Sequence, residues 1–233
     1  MYGTSGNYYY DEQDAKRDEY LKRQANVMGN KLMLMFKLTI FGIVMSLASI
    51  VLMLTIGVYA ILYSGSSEQI IMYIAYGVVI VAFIIQAIYG GVLISMKEYD
   101  GRYMTSGLLY IFAQACTVVK EFLSETSLSW VAGFASLASS ILGLISLLLF
   151  VNAIKDDIAP FNSYLSGSWE GFKKVYIGMI VITVIGVVVA FLIPGLGTLI
   201  LAISGLLALI LSIWQIVLLY KSGKAMLAFK EGF

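Results

Sequence analysis

Four carboxamides, Gln86, Gln114, Asn152 and Gln215, stand inside long apolar stretches of this chain. A carboxamide carries two N–H donors and an accepting oxygen. Away from water it either bonds a neighbouring helix or lines a polar path. Bonds of the first kind contribute modestly, about 1 kcal/mol or less each. We read the four as bundle-lining groups, with a pore lining as the alternative.

Stronger chemistry has little to work with. The chain has no histidine, which removes the commonest metal ligand and the side chain that titrates most readily near neutral pH. No Asp, Glu, Lys or Arg interrupts the apolar interiors, and intramembrane ionisable groups are what usually mark ion pathways and proton relays. Proton-coupled transport, voltage sensing and intramembrane proteolysis are therefore disfavoured. The single cysteine, Cys116, lies in an apolar run with no basic neighbour and reads as a packing residue. Asp156-Asp157 follow Lys155 and read as a solvated turn rather than a cation site. Gly195-Leu196-Gly197 lacks the Lys-Ser/Thr of a phosphate loop. The expectation is a non-enzyme with no catalytic residue, metal or cofactor.

The elements that would position these amides are membrane spans. Val175 to Tyr220 contains no charged side chain. One span needs about 20 residues, so this run holds two, with Pro194-Gly195-Leu196-Gly197 as the turn between them. The whole chain is 60% hydrophobic and 12% charged, with mean hydropathy +0.90, where soluble domains carry about 25% charged residues. Continuous apolar runs argue for helices and against the short alternating segments of a barrel. The predicted fold is an all-α integral membrane protein: a six-span helical bundle arranged as three consecutive hairpins. The spans are placed at 38–63, 70–96, 103–119, 128–153, 175–193 and 198–220. A polar loop joins the first two at 64–69, and Gly90-Gly91 is a point where the second helix is expected to loosen or bend.

Span four is dense in small residues. Ala132, Ser136 and Ser140 recur every four positions, as do Ala135, Ser139 and Gly143. Such spacing lets helices approach closely, so this span is the expected central packing helix. Ahead of span five, residues 157–172 read as an interfacial segment, with Phe161, Tyr164, Trp169 and Phe172 at helical spacing and headgroup level.

Outside the spans, residues 1–10 lack periodicity and read as a tail. A charged helix follows at about 11–29, with Glu12→Lys16, Asp18→Lys22 and Glu19→Arg23 at i,i+4. Asp11 is its expected cap and Gly29 its expected end. It carries few apolar residues and reads as solvated or partner-contacting rather than as core. Lys31 to Lys37 leads into span one, and 221–233 reads as a second tail. Fourteen of the 15 Lys and Arg fall in 1–37, 97–102, 154–174 and 221–233, all on one face of a six-span arrangement. The positive-inside rule then puts both termini in the cytoplasm of a cell-membrane protein.

No nucleic-acid partner is implied by a net charge of +1. The lipid bilayer is one partner, and a protein partner or self-association is the other. The function expected is that of a non-catalytic accessory, assembly or partner-binding subunit of a membrane complex. The alternative is an oligomeric channel, or the membrane subunit of a transporter energised by another protein.

Overall fold

The computed structural model describes residues 5–62, 67–124 and 126–231. Among them every regular element is an α-helix: α1 (Ser5–Leu62), α2 (Ser67–Ser95), α3 (Gly101–Leu123), α4 (Ser129–Ile158), α5 (Ser163–Leu192) and α6 (Pro194–Glu231). Six of these are long and apolar enough to cross a membrane. This is the architecture of a multi-pass membrane protein. In lipid each backbone N–H and C=O must be paired within the chain, and an uninterrupted helix does this locally.

The chain signals its helix ends. Asp100 caps α3, its carboxylate accepting from the backbone N–H of Arg102 at 2.7 Å. Asn162 caps α5 by accepting from the N–H of Leu165 at 3.0 Å. Ile193 leaves helical conformation (φ −138°, ψ 86°), and Pro194 opens α6, where its missing N–H costs nothing. Gly197 then lies so close against Ala190 that a side chain would meet its backbone, which is what lets α5 and α6 fold back on each other. The polar loop expected at 64–69 and the end of span one at 63 fall largely outside the described residues. Positions 67–69 already belong to α2.

Several expected boundaries are corrected. The helix expected at 11–29 and the first span are one continuous element of 58 residues, about 87 Å long. Asp11 does not cap it, since the helix already runs from Ser5. Gly29 does not end it either. That glycine faces α6, where a Cβ would come within 2.9 Å of Leu227 and 3.2 Å of the Gly223 carbonyl oxygen. It is a contact glycine, not a stop. The C-terminal tail is likewise helix: α6 continues to Glu231 and buries Ser222, Gly223 and Met226. Asp156 and Asp157 lie in the last turn of α4, not in a loop. Gly90 and Gly91 leave α2 unbroken.

The helices form two compact units, Met1–Leu34 with Ile154–Phe233, and Met35–Ala153. In the first, α5 and α6 pair along their length. At their lysine-flanked ends they meet the end of α4 and residues 25–33 of α1. The core there contains Ala25, Met28, Leu32, Ile154, Ile158, Leu165, Trp169, Phe172, Leu219 and Met226. So the helix expected to be solvated is core from Gln24 onward, and only its earlier part, residues 13–20, is fully exposed. In the second unit α2 pairs with α3, and α3 bonds to α4 through side chains. Leu93, Met96, Tyr103, Ala113 and Phe150 fill the space between.

Candidate functional site

Hydroxyls divide into two sets. Thr39, Ser46, Thr55, Ser140 and Ser212 each donate to the carbonyl four residues back in their own helix, which satisfies them without joining anything. The second set crosses between helices. Ser106 of α3 and Ser146 of α4 exchange bonds, each hydroxyl donating to the other's backbone carbonyl at 2.8 Å, and both residues are buried. The hydroxyls of Thr117 and Ser139 are hydrogen-bonded to each other at 2.8 Å on the same pair of helices. Thr183 and Ser204 join α5 to α6.

Of the packing residues expected on α4, Ala132 and Ala135 are buried and Ser139 makes the bond to Thr117. Ser136 is half-buried, Ser140 is exposed, and Gly143 has open space where a Cβ would stand. A close helix approach in this unit belongs instead to Gly90 and Gly107. A Cβ on Gly107 would lie 2.6 Å from the Gly90 carbonyl oxygen. The sequence signal was Gly90-Gly91, whose meaning was closeness rather than flexibility.

The amides are placed as follows. Gln86 lies on α2, and its side-chain oxygen accepts from the hydroxyl of Tyr110 on α3. The Tyr110 ring sits 5.1 Å from that of buried Tyr89, tilted by 42°. Gln114 on α3 and Asn152 on α4 are half-buried in the same unit, and Gln215 on α6 is half-buried in the other. Among the described residues, Gln86 has a side-chain partner in a second helix. No group of three or more His, Cys, Asp or Glu there could hold a metal ion.

The four aromatics expected at the interface separate. α5 runs unbroken from Ser163 to Leu192, so no separate interfacial helix precedes the span. Trp169 and Phe172 are 0% and 1% exposed, inside the core of their unit, while Tyr164 is 77% exposed. Phe161 meets Phe229 edge to face at 5.0 Å. The indole N–H of Trp169 donates to Ser222 at 2.9 Å, and Phe172 packs edge-on against Trp214 at 5.8 Å. A tryptophan with its one polar atom bonded can be buried whole. The residue that allows this, Ser222, sits in what read as a tail, so the pair was invisible in the sequence.

Around this core lies an ion-pair network. Glu170 accepts from Lys173 at 2.9 Å and from Lys155 at 3.3 Å, with Lys174 at 4.0 Å; Asp156 also reaches Lys155 at 3.6 Å. The hydrogen bond from Lys173 is the largest influence and holds the Glu170 carboxyl below its ordinary pKa; burial opposes it, and the bond from Lys155 adds a lesser lowering. At Asp100 the bond from Arg102 does the same.

No protein-family model, curated protein or solved structure matches this chain.

Beyond the packed ends, residues 13–20 of α1 are exposed on every side. This arm is a direct helical continuation of the packed residues 24–35 and of the first apolar span. The segment is helical, and its charged side chains are exposed.

Proposed function

We propose that the protein is a non-catalytic component of the cell membrane that holds a protein partner through the charged arm of α1, residues 13–23, with both termini cytoplasmic. The observation that carries the reading is the arm itself: exposed, charged, and continuous with a packed helix. Its acid–base pairs at i,i+4 stabilise it as a helix without any partner, so binding need not first order it. The gathering of nearly all Lys and Arg into four segments supports the cytoplasmic placement.

The test is a photo-crosslinking residue placed at Tyr20 in cells. A discrete adduct is expected, lost when Asp18→Lys and Glu19→Lys reverse the arm's charge. An adduct that survives the reversal, or none with the unaltered arm, overturns the reading. Orientation is checked separately in a Cys116→Ser background: Gln13→Cys should be shielded from an impermeant maleimide in intact cells, and Ser124→Cys should be labelled.

A further inference from the structure

Between α1 and α2, within the second unit, lies a half-open cavity of about 250 Å³, exposed along its Ser46, Ile50, Val81 and Ala82 wall. Gly42, Met45, Ser46 and Ile50 line it from α1, and Val78, Val81, Ala82, Ile85 and Gln86 from α2. Its walls are apolar apart from Ser46 and Gln86. The Ser46 hydroxyl is spent on the Gly42 carbonyl of its own helix. Gln86 differs. Its oxygen is turned to Tyr110 on α3, and a carboxamide is planar with oxygen and nitrogen on opposite sides. The oxygen is thus taken by α3, while Gln86 also lines the cavity, and its N–H groups donate to no described residue.

Depth narrows what could meet those donors. Ser46 lies about 14 Å along α1 from Lys37, and Gln86 about 14 Å along α2 from its end at Ser95. Half of a hydrocarbon core is about 15 Å, so the cavity sits near the bilayer midplane. Phospholipid tails offer no acceptor at that depth, because their ester carbonyls stay at the interface, and water is absent. An amide donor unmet in such surroundings is costly. The cavity is also smaller than the roughly 300 Å³ at the low end of pockets for drug-sized ligands, which suits a single substituted ring.

We propose that this cavity binds the ring of an isoprenoid quinone, a carbonyl of which accepts from the Gln86 amide. These compounds combine what the cavity asks for: residence near the midplane, an apolar ring, and an accepting oxygen. The binding is independent of the partner arm.

The test is calorimetric titration of the purified full chain in lipid nanodiscs with decylubiquinone, and with decylbenzene as the matching compound that lacks a carbonyl; empty nanodiscs are subtracted. One saturable site per chain is expected for the quinone, with decylbenzene at least tenfold weaker. Gln86→Leu should weaken the quinone at least tenfold and leave decylbenzene unchanged. Ala82→Phe, which fills the cavity, should abolish binding. Absence of saturable quinone binding overturns the proposal. So does decylbenzene binding as tightly as the quinone in the unaltered chain, a comparison that depends on no variant folding.

Discussion

Gly107 offers the sharpest test of how α2 and α3 meet. A methyl group there would stand 2.6 Å from the Gly90 carbonyl oxygen, 2.7 Å from Ile94 Cγ1 and 3.0 Å from the Ile94 backbone nitrogen. Two of those three atoms are backbone, so relief requires the helices to move apart. Overpacking of this kind costs about 1–3 kcal/mol, offset by the roughly 0.8–1 kcal/mol by which alanine favours a helix over glycine. Gly107→Ala should therefore be destabilised by up to about 2 kcal/mol. Gly90→Ala is milder, because its nearest obstacle is Ile111 Cγ1 at 2.5 Å, on a side chain that can turn, with backbone only at 3.2 Å. Gly91→Ala meets nothing within 4 Å and should gain from propensity alone. The expected order of stability is Gly91→Ala, then unaltered and Gly90→Ala close together, then Gly107→Ala. Thermal melting followed by circular dichroism in one detergent would resolve it, at about 2–4 °C per kcal/mol for a chain of this size. A Gly107→Ala protein as stable as Gly91→Ala would refute the close approach of these helices.

Three further outcomes follow from other sites. Ser222→Ala should strand the indole N–H of buried Trp169 and cost about 1–3 kcal/mol, whereas Ser222→Ala added to Trp169→Phe should cost much less than the separate changes together; denaturant titration of the cycle measures the coupling, and strict additivity would deny the bond. Asp100→Ala should lose about 1 kcal/mol by uncapping α3, while Asp100→Asn keeps most of it, as read by thermal melting of the pair. Glu170 has a lowered pKa in the folded chain, so its contribution is present above its ordinary value of 4.5 and is lost as pH falls through the lowered one. Melting temperature measured from pH 7 to pH 3 should fall less steeply in Glu170→Gln than in the unaltered protein; parallel curves would assign the acid loss to other carboxyls.

What the chain by itself determined is its relation to the bilayer. A buried charge is costly wherever a lipid-spanning helix points it, so charge-free runs such as Val175–Tyr220, charged breaks such as Lys97–Arg102 and the proline at 194 mark six apolar helices, though not their ends. The tertiary structure decided which apolar faces meet protein. Lipid tails and a neighbouring helix are equally apolar, so no side chain announces which of them it faces. Gly29 carried the signature of a helix stop and Gly90 that of a bend, yet both serve close contacts with glycines distant in sequence, Gly223 and Gly107. Trp169 and Phe172 had the pattern of an interfacial face, and burial followed only once Ser222 and Trp214 of α6 were brought against them. Charge exclusion is a property of one residue and its solvent; close packing is a property of two surfaces, and only the folded chain brings both together.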